Sequence, residues 1–392
     1  MDQIRIGVIG SSGRGRMCES WHHPDGKSVL VAAADIRAEC LNQFKEVINP
    51  DAFLTQDYRE LISRSDVDAV AICSPDFTHE EMAIASFNAG KHVFCEKPLS
   101  ISTEGCDRML EAWRTSGKQF MVGFNMRYMN LFRTMKEAAD SGVIGEIKAA
   151  WVRHFVGLGG DFYFHDWHAT RNNTTGLLLQ KASHDIDMIH WITGQYGKKV
   201  AAFGSLDHYG GEKPNDLECS TCPERDTCVE RQAEELMAKG WMNKCAFRKE
   251  VDVEDNSVVI MELDKGIKAT YTQCHFSPDY FRNYVFIGTE GRMENTTDNR
   301  VVVKLRNRSR RCANLADRIY DIKEAAGGHG GADGVICGDF VDMILDGKEP
   351  VATPLAGRMS VAVGCSATES MREGGVLKLV PPLPVSLAGL MG

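Results

Sequence analysis

What this sequence of 392 residues lacks narrows its reading first. No run approaches the roughly 20 consecutive apolar residues that a helix needs to cross a bilayer, so no membrane span is expected. There is no excess of positive charge: 45 Lys and Arg stand against 54 Asp and Glu, a formal net charge of −9. No basic stretch is long enough to track a phosphate backbone, which speaks against nucleic acid as a partner. Internal repeats and low-complexity linkers are also missing. With 43% hydrophobic and 25% charged residues, the composition is that of a soluble globular chain rather than a disordered one. The first predicted strand begins at Ile4, which leaves no room for a signal peptide, and the cytoplasm is the expected location. Among thirteen cysteines, Cys73 and Cys95 fall in predicted strands and Cys106 and Cys337 in predicted helices. They read as small apolar side chains in a reducing compartment.

What is present is an alternation of strands and helices. Strands are predicted at 4–9, 28–35, 67–74, 91–98 and 118–124, separated by helical stretches at 13–23, 37–47, 79–88 and 104–115. Continuous Val, Ile, Ala and Phe in such strands indicate a parallel sheet covered on both faces. Residues 1–125 therefore read as an α/β, doubly wound domain. From about residue 126 the pattern changes. The runs 147–155, 256–263, 267–276 and 283–295 mix apolar with polar positions and adjoin turn signals at Asp264-Lys265-Gly266 and Glu290-Gly291. These predict hairpins in a large, mainly antiparallel sheet with helices on one face, an α+β second domain over 126–392. A polar insertion carrying cysteines occupies 205–253, and 300–331 reads as irregular.

The first strand breaks into the stretch GSSGRG, residues 10–15. Gly10, Ser12 and Gly15, with Gly13 beside the middle position, form a variant of the dinucleotide fingerprint. The glycines permit a tight turn and close packing, and the small middle residue lets a pyrophosphate approach the backbone at a helix N-terminus. Asp35 ends the second strand about 20 residues further on, where an acid binds the ribose hydroxyls and repels a 2′-phosphate. NAD is the expected cofactor. Arg37, as a potential phosphate clamp, leaves NADP open.

The run SPDFTHEEMAIASFNAGKHVFCEKPLS, residues 74–100, places Glu96, Lys97 and Pro98 at the carboxyl end of a strand. There it resembles the Gfo/Idh/MocA family, named for glucose-fructose oxidoreductase, inositol dehydrogenase and a rhizopine catabolism protein. The match is to that family's Ala-Gly-Lys-His-Val-x-x-Glu-Lys-Pro signature. The resemblance continues through GFNMRY (123–128), SGVIGEI (141–147) and TGLLLQKASHDIDMIHWITG (175–194). It implies that Glu96 and Lys97 lie beside the nicotinamide, with Lys97 bonded to the reacting substrate hydroxyl. An ammonium there would restrain a growing alkoxide. Ser74, Pro75 and His79 match the loop that borders the cofactor in the family. His184 corresponds to the catalytic histidine, the proton acceptor. Gln180 stands where many of the family's sugar and cyclitol dehydrogenases carry an Asp, and an amide cannot relay a proton. If the segment is helical, Gln180, Lys181 and His184 project to one side.

Arg127, Tyr128, His165, Trp167 and Arg171, in segments rich in aromatic and hydrogen-bonding groups, complete the expected substrate shell with Gln180 and Lys181. The spacing of Cys219, Cys222, Cys228 and Cys245 could hold a structural zinc or an iron–sulfur cluster, zinc being preferred because nothing else implies electron transfer, with a disulfide pair or four unlinked thiols as alternatives. The resemblance implies an NAD-dependent oxidoreductase that acts on a secondary alcohol of a sugar, glycoside or cyclitol. A glycosidase working by transient oxidation and a non-catalytic dinucleotide sensor are the alternatives. A homodimer or homotetramer through the open face of the second sheet is also implied.

Overall fold

The computed structural model describes residues 3–157, 160–238, 242–306, 315–323 and 325–391. Part of the stretch expected to be irregular, 307–314 and residue 324, lies outside the described residues. By their contacts the residues form two compact units: 1–133 with 323–361 and 382–392, and 134–322 with 362–381. The expected cut near residue 125 follows chain order. Contacts instead return the helix Ala332–Asp346 to the first unit.

In the first unit, six strands make a parallel sheet: β1 (Ile4–Ile9), β2 (Ser28–Ala34), β3 (Phe53–Thr55), β4 (Ala69–Ile72), β5 (His92–Cys95) and β6 (Phe120–Val122). Their order is β3-β2-β1-β4-β5-β6, the doubly wound arrangement read from the sequence. Its strands run apolar throughout because both faces are covered; Ile4, Ile6, Val8, Val70, Ile72 and Val93 are fully buried. Helices α1 (Ala38–Val47), α2 (Tyr58–Ser63), α3 (His79–Asn88) and α4 (Thr103–Ser116) follow β2, β3, β4 and β5. Strand β3 and helix α2, at three and six residues, are too short to show a period and are absent from the sequence reading. The segment after the glycine-rich stretch is a 3₁₀ helix, Gly13–Trp21. Its last residue, Trp21, packs edge-on against Phe94 and Phe340, and its indole N–H donates to the Cys337 carbonyl at 2.9 Å.

The second unit carries a nine-stranded sheet: β7 (Ile147–Val156), β8 (Gly197–Ser205), β9 (Asn256–Leu263), β10 (Lys268–Cys274), β11 (Tyr280–Gly288), β12 (Gly291–Thr297), β13 (Arg300–Leu305), β14 (Arg318–Asp321) and β15 (Lys378–Leu379). The order is β14-β13-β12-β11-β7-β10-β9-β8-β15. Pairing is antiparallel except between β7 and β10. Burial alternates along β7 and β9, since only one face is packed against helices. On the other face, register aligns Ile260 with Thr270 and Thr270 with Trp151, and pairs Phe203 with Val258, so Trp151, Phe203, Val258 and Ile260 form an exposed apolar patch.

The glycine-rich stretch depends on contact distance. A Cβ added at Gly15 would stand 1.9 Å from the Gly10 carbonyl oxygen, a backbone atom that cannot swing aside. Gly15→Ala is therefore expected to cost at least about 2 kcal/mol of stability by displacing this loop, read as a lowered thermal midpoint of the whole chain. An unchanged midpoint would show that the loop yields freely.

Candidate active site

In an open parallel sheet, ligands sit outside the carboxyl ends of the strands where the order reverses, here between β1 and β4. Gly10 follows β1 with φ +82°, and a Cβ on it would approach the backbone of Cys73 and Ser74 to 2.8 Å. Gly13, at φ +52°, also needs the left-handed region. The missing side chains leave the kind of bare backbone cradle that fits dinucleotide phosphates. Asp35, after β2, is buried. Its Oδ2 accepts the Ser11 N–H at 3.0 Å and the Ser11 hydroxyl at 3.3 Å, while Oδ1 accepts the Arg37 N–H at 3.0 Å. The acid expected to hold a ribose thus also pins the glycine-rich loop, and the Arg37 guanidinium donates to the Ser12 hydroxyl.

The loops after β4 and β5 are tied to each other. His79, wholly buried, reaches the Pro98 carbonyl from Nδ1 at 2.8 Å and the Ser74 carbonyl from Nε2 at 2.9 Å. Burial pushes its pKa below the ordinary value. Pro75 precedes a single 3₁₀ turn, Asp76–Thr78, and the Ser74 hydroxyl meets the Thr78 hydroxyl at 2.7 Å. The Lys97-Pro98 peptide is cis. Glu96 is buried; its carboxylate accepts from Arg14 Nε at 2.7 Å and from the Lys97 N–H at 3.3 Å. Lys97 itself is half-buried. Arg127 and Tyr128 are buried, with Arg127 donating to the Val351 carbonyl and Tyr128 to Asp339.

Gln180 and His184 do not share one regular helix. A single helical turn, Leu177–Gln180, is followed by a separate helix, Ser183–Thr193, and the Ala182 N–H bonds five residues back to Leu177 at 3.2 Å. The i, i+4 spacing of Gln180 and His184 therefore spans the junction of two helical segments rather than one continuous helix. Gln180 is buried and His184 half-buried. The Lys181 ammonium lies 5.2 Å from the Tyr163 ring centroid and 5.5 Å from that of Tyr280, cation–π distances. Trp167 stacks on His168, and Arg171 pairs with Glu254 at 2.8 Å.

Next to His184, the sequence reading missed Asp185, an acid inside an apolar helix. It is fully buried and takes hydrogen bonds from Tyr271 at 2.9 Å and from Tyr284, with His154 Nδ1 at 3.1 Å and Arg282 Nε at 3.2 Å. Burial alone would raise its pKa, but the Arg282 charge and the hydrogen bonds hold it well below the carboxylate range. His154 is pushed down to about 3, first by burial and then by Arg282, so it stays neutral. Close by, His275 is wholly buried between the rings of Tyr163 and Phe164. Neither of its ring nitrogens, nor His154 Nε2, nor Gln273 Nε2, has a hydrogen-bond partner among the described residues.

The four clustered cysteines and His165 line a cavity of about 20 Å³. All four thiols are free. Cys219 Sγ is 3.5 Å from His165 Nδ1 and 3.8 Å from the Lys244 carbonyl, and burial raises the thiols of Cys219 and Cys245. Among the described residues no group of three or more His, Cys, Asp or Glu is disposed to hold a metal ion, so the expected zinc is not supported. The insertion is fastened otherwise. The buried Arg248 donates to the carbonyls of Phe164, Cys245 and Asp166, and Asp255 collects the backbone N–H groups of residues 207–209.

A family model described as "Oxidoreductase family, NAD-binding Rossmann fold" matches residues 4–124, and its companion, "Oxidoreductase family, C-terminal alpha/beta domain", matches 136–379. The Bacillus subtilis (strain 168) protein YteT is 26% identical over 375 residues, covering 86% of this chain and 87% of its own. Myo-inositol 2-dehydrogenase of Thermotoga maritima is 32% identical over 212 residues; the match spans 52% of this chain and 59% of that relative's length. A solved levoglucosan dehydrogenase, in complex with NADH and levoglucosan, shares the fold with a TM-score of 0.78 at 19% identity, over 97% of this chain and all of the other.

The Asp185 network sets a pH dependence. Its folded pKa lies below the unfolded value of about 4, so its contribution is complete above that pH and fades as pH falls below it. Asp185→Asn would leave the half-buried Arg282 without its counter-charge, and is expected to cost about 3 kcal/mol at pH 7. The gap from the parent should narrow below about pH 4. Denaturant unfolding across pH measures both, and a gap independent of pH would contradict the assignment.

Proposed function

The chain belongs to the Gfo/Idh/MocA family of oxidoreductases, and from that premise we propose that it is an NAD-dependent dehydrogenase acting on a secondary alcohol of a sugar, glycoside or cyclitol. The observation that carries this reading is Lys97 at the carboxyl end of β5, one residue after a buried glutamate and in the same unit as the glycine cradle after β1. Residues 10–15 with Asp35 would hold the dinucleotide, which supplies a hydride acceptor or donor at nicotinamide C4. NAD is preferred. Arg37, whose guanidinium already reaches Ser12, keeps a 2′-phosphate within the chemistry of this loop.

Hydride leaves a carbinol carbon readily only while the hydroxyl proton departs. In this reading Lys97 donates to the hydroxyl oxygen and restrains the growing alkoxide, and His184 accepts the proton. Gln180 orients substrate hydroxyls without taking charge. The unpartnered nitrogens of His154, His275 and Gln273 support a polyhydroxylated guest, because buried polar atoms left unpaired are costly. Arg127, Tyr128, His165, Trp167, Arg171 and Lys181 remain its wider shell. The names of the inositol and levoglucosan dehydrogenases support the same substrate class. A second copy of the chain is the expected partner, supported by the apolar patch of Trp151, Phe203, Val258 and Ile260 on the sheet.

A panel of free sugars, inositols and glycosides, followed by NADH absorbance and by released aglycone, tests the activity and separates dehydrogenase from glycosidase. On the best substrate, Lys97→Met and His184→Ala are each expected to lower turnover at least about a hundredfold with little change in NADH affinity. Gln180→Ala should mainly raise KM. Full activity of both Lys97→Met and His184→Ala would end this reading.

A further inference from the structure

Arg14 is the one charged residue within the glycine-rich stretch 10–15, where the sequence reading gave it no role. Its side chain is half-buried. Nε bonds Glu96 at 2.7 Å and Nη1 bonds Asp333 at 2.9 Å, so one guanidinium bridges two carboxylates that lie far apart in sequence. The Coulombic pull of both outweighs burial and raises its pKa. Each carboxylate is itself tied to further groups. Glu96 accepts the Lys97 N–H, and a Cβ on Gly123 would come within 2.8 Å of the Glu96 carboxylate, so the carboxylate occupies the room that this glycine leaves. Asp333 accepts from Asn125 at 3.2 Å and from His329 at 2.9 Å, and His329 adopts a left-handed φ of +51° in a turn flanked by glycines.

We propose that Arg14 is a positioning residue for Lys97: through Glu96 it fixes the Glu-Lys-Pro turn, and Asp333 with His329 holds Arg14 in that pose. The glycine-rich loop then does two things, since the same six residues that form the cradle also brace the lysine from behind. This rests on the role given to Lys97 above. An arginine is required, because its planar fork satisfies two carboxylates at once where a lysine ammonium makes a weaker, undirected contact.

Two measurements test it, one of them independent of turnover. Hydrogen exchange followed by mass spectrometry on the whole chain is expected to show that Arg14→Ala speeds exchange at least about threefold in two peptides together, 95–99 and 327–334. Asp333→Asn, which keeps the shape, should do so more weakly. Unchanged exchange in either peptide overturns the bridge, whatever the enzyme's activity proves to be. In turnover, Arg14→Ala is expected to lower kcat about thirtyfold with the NADH dissociation constant within about threefold of the parent, and Arg14→Lys to recover part of the loss. In a Lys97→Met background the same Arg14→Ala change should have an effect below about threefold, because its route of action is gone. A tenfold loss of NADH affinity with kcat intact would instead make Arg14 a phosphate ligand and overturn the proposal. So would full additivity with Lys97→Met.

Discussion

A buried carboxylate, Glu96, is the constraint on which the first unit's candidate site depends. It occupies the carboxyl end of β5, where water is excluded and an unpaired charge would be costly. The neighbouring chain satisfies it: Arg14 comes from the loop after β1, the Lys97 N–H from the next residue, and Gly123 stays bare to leave it room. Three separate features of the sequence, an arginine among glycines, a glycine after β6 and the Glu-Lys-Pro tripeptide, are thereby one arrangement. Its product is a half-buried lysine held on a turn that is itself fixed on both sides, by Glu96 before it and by the His79 clamp on the Pro98 carbonyl after it. Preorganisation of this kind lets a charged group act without reorganising during the reaction.

The second unit solves a similar problem with the opposite balance. Asp185 carries its charge in full burial because two tyrosines and Arg282 supply donors and counter-charge, and His154 is kept neutral beside it. That network spends the polar groups of β10 and β11 on structure, next to His184 on the same helix. Gln273 Nε2 on β10, His154 Nε2 on β7 and both nitrogens of His275 have no hydrogen-bond partner among the described residues, and in the proposed reading they serve the substrate.

Much of this was legible in the sequence, and what was not has physical reasons. The parallel sheet could be read because strands buried on both faces are continuously apolar, and β9 could be read because alternate burial writes a period of two. Strand β3 leaves no period in three residues. Gln180 and His184 stand at helical spacing, yet the helix slips at Ala182, and spacing cannot report a register shift. Asp35 was visible as the acid at the end of β2, but not that it accepts the Ser11 N–H. The four cysteines carry a metal-like spacing, while Arg248 and Asp255, which fasten the same insertion, have no local signature because their partners are backbone atoms dozens of residues away. Arg14 escaped notice for the same reason, with Glu96 and Asp333 supplied by distant segments.

The central claim is that this chain moves a hydride between a carbinol carbon and NAD. It is tested most directly by isotope transfer: the protein is incubated with NAD and with glucose, myo-inositol or a glycoside carrying deuterium at the carbinol carbons, then denatured, and the dinucleotide is analysed by mass spectrometry and proton NMR. The account predicts reduced dinucleotide one mass unit heavier, with deuterium at nicotinamide C4, from at least one of these substrates and not from the Lys97→Met protein. Dinucleotide that binds yet stays unlabelled with every polyol offered would contradict it.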